Sequence, residues 1–146
     1  KTIDSVGTSS WTDSSVKTGK TYYYKIKVVV KTQNGNQTSG FSNVKSAKAV
    51  PAKTTLKAKA SNAKNVKLTW SKVKGANGYE IYRSNSKDGK YQKVKTISKG
   101  GTTSYKDGKL KKSTTYYYKI RAYRKVDRKK VYGSYSSVVS VKTKAK

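Results

Sequence analysis

Side chains suited to acid–base or metal chemistry are scarce in this sequence. There is no Cys, which excludes disulfides, and no His, which removes the commonest general base and metal ligand. The acidic residues are Asp4, Asp13, Glu80, Asp88, Asp107 and Asp127. Asp13 and Asp107 follow predicted strands and Asp88 precedes a glycine, positions at which Asp caps turns. We find no carboxylate pair, no calcium-binding run and no Ser–Lys spacing that singles out a dyad. The sequence therefore predicts a chain that is not an enzyme and has no cofactor or metal site.

Positive charge dominates the composition. Lys and Arg number 35 against six acidic residues, a formal net charge of +29, so a partner attracted by charge is expected to be anionic. Only Arg83, Arg121, Arg124 and Arg128 are arginines, which leaves 31 lysines. Lys is a hydrated point charge, whereas Arg makes the two-point contacts that read phosphates and bases. The composition predicts diffuse attraction and argues against sequence-specific nucleic-acid recognition.

The chain contains an internal repeat. Residues 1–52 align with residues 95–146 without a gap at a spacing of 94, and 19 of the 52 pairs are identical. The identical pairs include the whole string TYYYKI, at Thr21–Ile26 and Thr115–Ile120. One structural unit of this period is therefore present more than once.

The densest basic segment is RKVDRKKV, residues 124–131 of the second copy. Five cations surround its single acid, Asp127: Arg124, Lys125, Arg128, Lys129 and Lys130. The equivalent segment of the first copy, VKTQNGNQ, is nearly neutral. Because loops carry binding more often than framework does, we predict a candidate binding site here. The alternative is a hairpin tip whose charges are simply solvated.

Short alternating strands are predicted throughout the second copy. Apolar or aromatic residues alternate at 66–70, 79–81, 91–97 and 116–122, and the turn sequences KGANG, NSKDGK, KGGTTS and DGKLKKST separate the runs. No segment shows a sustained helical period. The pattern indicates an all-β chain with about seven short strands, which is typical of a two-sheet sandwich.

The ordered motifs VKLTW, GANGYEIYRS, GKYQKVKTI, TSYKD, LKKSTTYYYKIRAY and GSYSSVVSVKT resemble fibronectin type III domains, an immunoglobulin-like β-sandwich, especially those of secreted and surface proteins of Gram-positive bacteria. The resemblance implies that Trp70 packs in the core and that Leu110 and Tyr116 form a corner at the start of the sixth strand. Val16 and Tyr22 stand at the same spacing in the first copy.

Tyr116, taken as the corner residue, sets the register of the sixth strand. Its alternation places Tyr116, Tyr118, Ile120 and Ala122 inside. The other residues face outward and form a stripe of rings and cations: Tyr117, Lys119, Arg121 and Tyr123. Such a stripe could stack on sugars or bases. The alternative is that exposed rings raise β-propensity and cover neighbouring alkyl stems.

The domain organisation follows from the repeat. We predict that residues 1–50 are the C-terminal half of a fibronectin type III-like domain (strands five to seven), that residues 51–54 form a linker at the only proline, Pro51, and that residues 55–146 are a complete domain. The half-domain would present Tyr22, Tyr24, Ile26 and Val28 to strands that this sequence lacks. We expect residues outside it, or another chain, to complete it.

These features favour a non-catalytic spacer and adhesion module of a bacterial surface or secreted protein. The expected location is extracellular, secreted or attached to the cell wall, and no apolar run is long enough to cross a membrane. Expected partners are anionic polymers (teichoic acid, acidic glycans or host matrix) and neighbouring domains of the same parent chain. The alternatives are an accessory region of a secreted enzyme whose catalytic domain lies outside this chain, and a nucleic-acid binder, against which the scarcity of Arg argues.

Overall fold

The computed structural model describes residue 7 and residues 10–146, and the regular structure in this part of the chain is entirely β-strand. Asp4 lies outside the described residues. The chain divides into two units, Lys1–Ala49 and Val50–Lys146. The strands, in chain order, are β1 (Thr21–Tyr24), β2 (Val29–Thr32), β3 (Gly35–Thr38), β4 (Lys45–Lys48), β5 (Leu56–Asn62), β6 (Asn65–Trp70), β7 (Gly78–Ser84), β8 (Gln92–Ile97), β9 (Ser104–Asp107), β10 (Thr115–Val126), β11 (Lys129–Tyr132) and β12 (Val139–Lys142).

The second unit is a sandwich of two antiparallel sheets. One sheet has the order β5-β6-β9, and the other has the order β11-β10-β7-β8 with β12 also paired to β10. Strands β12 and β11 pair with successive parts of β10, at Thr115–Tyr118 and then at Tyr123–Val126. The opposite edge of β10 is occupied by β7. The prediction of an all-β sandwich is confirmed.

The core lies between the two sheets because alternate residues of each strand face inward. Tyr116, Tyr118, Ile120 and Ala122 of β10 are all buried, which confirms the predicted register. They pack with buried side chains of the other strands: Leu56, Val66, Leu68, Trp70, Val73, Tyr79, Ile81 and Leu110. The hydroxyl of Tyr116 accepts a 3.0 Å hydrogen bond from the amide of Lys111, so the predicted corner is formed.

The first unit reproduces part of this pairing at a spacing of 94 residues. Strand β1 pairs with β4 and β2 with β3, in the registers that β10 keeps with β12 and β11. The hydroxyl of Tyr22 accepts a 2.9 Å bond from the amide of Lys17, which is the equivalent of the Tyr116 corner. The hydroxyl of Tyr24 donates to Asp13, as that of Tyr118 does to Asp107. The repeat therefore extends from sequence to individual hydrogen bonds.

The first unit lacks cover for the face that should be its core. Ile26 is 74% exposed and Val28 63%, whereas their equivalents Ile120 and Ala122 are fully buried. Residues 10–13, where a fifth strand was expected, are not in a strand. The physical reason is that the equivalent strand, β9, pairs only with β6 in the second unit, and the first unit has no such partner among its described residues.

Residues 51–54, predicted as a linker, pack on the second unit. The side chains of Pro51 and Thr54 are buried, and the Thr54 hydroxyl donates a 2.6 Å hydrogen bond to the carbonyl of Ser71. Gly133 passes so close to the Pro51 carbonyl that a side chain there would overlap it. The segment therefore makes specific contacts with the second unit, and its role as a linker stays a prediction.

Candidate anion-binding surfaces

The outer face of the β10 sheet is organised around a buried carboxylate, that of Glu80. Its side chain is only 1% exposed. Arg121 and Lys130 donate to its two oxygens at 2.9 and 3.0 Å, and the hydroxyls of Tyr82 and Tyr132 donate at 2.8 and 3.1 Å. Glu80 stands directly opposite Arg121 in the β7–β10 register, so the strand pairing itself brings the ions together. We call these five residues the Glu80 network.

The Glu80 network keeps its carboxylate ionised. Burial alone would raise the pKa of Glu80, but the hydrogen bonds from Arg121, Lys130, Tyr82 and Tyr132 outweigh it and lower the pKa to about 2. An ionised, fully bonded carboxylate has no proton to exchange near neutral pH. Glu80 is therefore suited to holding the sheet together and not to acid–base catalysis.

The predicted stripe on β10 is largely engaged within the protein. The Lys119 ammonium lies 4.3 Å from the centre of the Tyr91 ring and 4.5 Å from that of Tyr135. The Arg121 guanidinium lies 3.7 Å from the centre of the Tyr132 ring. Tyr117 is half-buried. Lys119 and Arg121 therefore already contact rings of the protein itself. A role for Tyr117, Lys119 and Arg121 in binding a ligand stays a prediction.

The expectation that Tyr123 is an exposed ring is wrong. It faces outward from β10 but is only 1% exposed. Its ring occupies space that Gly78, directly opposite on β7, leaves open, and a side chain at Gly78 would lie 2.6 Å from the Tyr123 hydroxyl. The Tyr132 ring and the Lys130 ammonium lie 6.2 and 4.5 Å from the Tyr123 ring. Strand alternation predicts the face of the sheet on which a side chain lies, but not whether neighbouring side chains bury it there.

The basic tip is the hairpin that joins β10 to β11. Asp127 and Arg128 form its two-residue turn with φ of 49° and 63°, the backbone required when a two-residue turn follows the twist of its strands. Four of the predicted cations are exposed there: Arg124, Lys125, Arg128 and Lys129. Lys130 points instead into the Glu80 network. The structure thus brings four of the five predicted tip cations to one exposed hairpin.

Sequence reasoning missed a row of lysines on the outer face of the β5-β6-β9 sheet. Lys59 stands directly opposite Lys67, and Lys67 directly opposite Lys106, across three adjacent strands. Lys57 begins the next row, opposite Thr69. All four lysines are exposed. We call this set the lysine row. The sequence shows lysines that alternate with core residues along each of these strands. Only the register between the strands shows that these lysines lie next to one another.

The second buried carboxylate, Asp107, is also structural. It accepts 2.8 Å hydrogen bonds from Arg83 and from the Tyr118 hydroxyl, and it is 4% exposed. Burial, followed by the hydrogen bond to Asp107, raises the pKa of Tyr118. Among the described residues, no three His, Cys, Asp or Glu side chains group in a way that could hold a metal ion. Nor does the described part of the chain contain a helix long and apolar enough to span a membrane.

Comparisons with known proteins identify the fold. No protein-family model and no curated protein matches the sequence. Among solved structures, the FN1–FN3 domains of chicken CNTN1 align with 90% of this chain at a TM-score of 0.56 and 23% identity, and the chain spans only 46% of that structure. The sixth fibronectin type III domain of human fibronectin type III domain containing protein 3 gives a TM-score of 0.56 at 19% identity, covering 68% of this chain and 92% of its own.

A bacterial structure is also similar. A Fn3-like protein from Clostridium thermocellum aligns at a TM-score of 0.50 and 27% identity, covering 65% of this chain and 92% of its own. The second unit has the fibronectin type III β-sandwich fold, and the alignment with the chicken structure extends over both units.

Proposed function

We propose that this chain is a non-catalytic extracellular spacer and adhesion module of a bacterial surface or secreted protein, and that it binds anionic polymers through its lysines. Fibronectin type III domains are generally non-catalytic and typically extracellular, and the similarity to the Clostridium thermocellum protein supports a bacterial setting. The observation that carries the proposal is where the charges lie. The carboxylates of Glu80 and Asp107 are buried in internal ion pairs, whereas most lysines are exposed.

This distribution leaves an excess of positive charge at the surface. The described acids that remain exposed or partly exposed are Asp13, Asp88 and Asp127, too few to neutralise the lysines of a chain with a net charge of +29. A linear polyanion that follows such a surface releases its condensed counterions, and this release supplies the binding free energy. No deep pocket is needed for such binding, and each contact is modest.

The proposal is tested by measuring binding of the 146-residue chain to beads that carry an anionic polymer and to beads that carry a neutral polymer of the same backbone. We expect retention on the anionic beads at low salt and release as salt is raised, because the attraction between exposed charges is screened. Equal retention on both kinds of bead would contradict an electrostatic adhesion function.

We also propose that the first unit is the C-terminal half of a second domain of the same type, completed by strands equivalent to β5–β8 that precede it in the parent chain. Ile26 and Val28 are exposed where their equivalents are core residues. The β1–β2 segment of the first unit also lacks, among its described residues, the pairing that β7 gives β10. Two domains of the same type would then follow each other directly in the parent chain, as expected for a spacer.

This organisation can be tested by duplication. Because Lys1 corresponds to Lys95 in the repeat, residues 50–94 placed directly before Lys1 should complete the first unit in register. We expect backbone amides of Tyr22–Tyr24 to exchange with deuterium more slowly in the extended chain than in the original, because paired and buried amides are protected. A matched control prefix carries Ser at the core positions Leu68 and Ile81. Unchanged exchange with the intact prefix would refute the proposal.

A further inference from the structure

We propose that the lysine row, Lys59, Lys67 and Lys106 together with Lys57, is the site at which this chain binds a linear polymer of regularly spaced phosphate groups that lacks aromatic rings. The inference rests on the proposed adhesion function and assigns it to one face of the second unit. Lys59, Lys67 and Lys106 are direct cross-strand partners, so they form a line across the β5-β6-β9 sheet at right angles to the strands.

The geometry concentrates charge on a flat surface. Neighbouring strands lie about 4.8 Å apart, so the Cα atoms of Lys59 and Lys106 are separated by only about 10 Å across the sheet. Lys57 is two residues from Lys59 and adds a fourth charge about 7 Å away along the strand. A polymer with regularly spaced anions can therefore contact several ammonium groups without bending.

The lysine row lacks the compensation found on the opposite sheet. There, Glu80 neutralises Arg121 and Lys130, and tyrosine rings cover Lys119. Within the described part of the chain, none of the four lysines in the row has a salt bridge or a cation–π partner. Like charges directly opposite each other destabilise a sheet. An anion that bridges them would remove this repulsion as well as add its own attraction.

The chemistry of the face favours phosphate over a ring-bearing ligand. The side chains that share it with the lysines are small and polar, Thr69 and Ser104 in the adjacent row. Lys recognises phosphate as a point charge and needs no fixed planar geometry. Sugars and unpaired bases are bound by stacking on aromatic side chains, and the outward positions of these two rows contain none. A phosphate polymer recognised by charge alone fits the surface better than a glycan or a single-stranded nucleic acid.

The test is a binding titration of the whole 146-residue chain with linear inorganic polyphosphate. The row variant replaces Lys59, Lys67 and Lys106 with Gln. Its matched control replaces three dispersed exposed lysines, Lys72, Lys87 and Lys144, with Gln and therefore loses the same net charge.

We expect the row variant to bind polyphosphate about tenfold or more weakly and the control about threefold or less, because clustered contacts release counterions together. Equal losses in the two variants, with wild-type binding intact, would overturn the site while leaving the proposed function standing. A wild-type chain that binds no polyphosphate even at low salt would overturn both. Tighter wild-type binding of a carboxylated glycan or of single-stranded DNA, at matched charge, would overturn the assignment to a phosphate polymer recognised by charge alone.

A second readout is the thermal stability of the chain, measured without and then with the polymer. Replacing Lys67 with Gln relieves repulsion from both of its neighbours, Lys59 and Lys106, so we expect the melting temperature of the second unit within the whole chain, in the absence of polymer, to rise by about 1–5 °C. Saturating polyphosphate should raise the melting temperature of the wild type more than that of the Lys67→Gln chain. A variant that melts below the wild type in the absence of polymer would contradict the repulsion on which the site is argued.

Discussion

Replacing Glu80 with Gln should destabilise the second unit in a way that depends on pH. The substitution keeps the size of the side chain but removes the negative charge to which Arg121, Lys130, Tyr82 and Tyr132 donate. It therefore leaves two cations beside a neutral, buried group. Breaking a buried ion pair by removing one partner is costly, because the remaining charge loses its compensation.

The magnitude follows from the protonation equilibrium of Glu80. The ordinary pKa of a glutamate is 4.5, and in the folded chain the pKa of Glu80 is about 2. Because a difference of one pH unit corresponds to about 1.4 kcal/mol, ionised Glu80 contributes about 3 kcal/mol to the free energy of unfolding. The folded pKa is lowered, so this contribution is complete above about pH 5 and is lost as the pH falls from 4.5 through 2.

Urea unfolding at several pH values measures this contribution. Trp70 is buried in the core of the second unit, and replacing Trp11 with Phe makes it the sole fluorescent tryptophan of the chain. In that background we expect Glu80→Gln to lower the free energy of unfolding by about 3 kcal/mol at pH 7 and by much less near pH 2. The control is Asp88→Asn, which removes an exposed carboxylate and should change stability by less than about 0.5 kcal/mol. A loss that is the same at pH 7 and pH 2 would refute the reasoning.

Two further substitutions test other parts of the second unit. Gly78→Ala should destabilise it by about 3 kcal/mol or more, because the new methyl group would overlap the carbonyl of Ile97 and the hydroxyl of Tyr123. Circular dichroism melting would detect this, and a melting temperature within 2 °C of the wild type would contradict the packing. Tyr116→Phe should cost about 1 kcal/mol through loss of the hydrogen bond from the Lys111 amide, measured by urea unfolding. An unchanged midpoint would show that this bond contributes nothing to stability.

Much of the fold could be predicted because its signals are local. The alternation in β10 identified the inward residues, and the spacing of Leu110 and Tyr116 identified the corner. The repeat at 94 residues then carried these assignments to the first unit, where Tyr22 makes the equivalent hydrogen bond. Period-two alternation and turn sequences lie within a few residues of each other, so one sequence suffices to read them.

The surface features could not be predicted in the same way. The Glu80 network joins residues of three strands, with Arg121 and Lys130 separated from Glu80 by 41 and 50 positions. The burial of Tyr123 depends on the glycine that faces it on β7. The lysine row likewise exists only because β5, β6 and β9 pair in one register. Local alternation fixes which face of the sheet a residue takes, but which residue of a distant strand stands opposite it is set only when the strands pair in the folded sheet.

The most direct test of the central claim, that the chain binds anionic polymers by charge, is the salt dependence of its affinity. The logarithm of the association constant of the wild-type chain for linear polyphosphate should be measured against the logarithm of salt concentration. We expect a straight line with a slope of about −3 to −4, since the four lysines of the row should each release a counterion with a slope of about −0.7 to −0.9 per contact. A slope near zero would show that binding is not electrostatic and would contradict the proposed function.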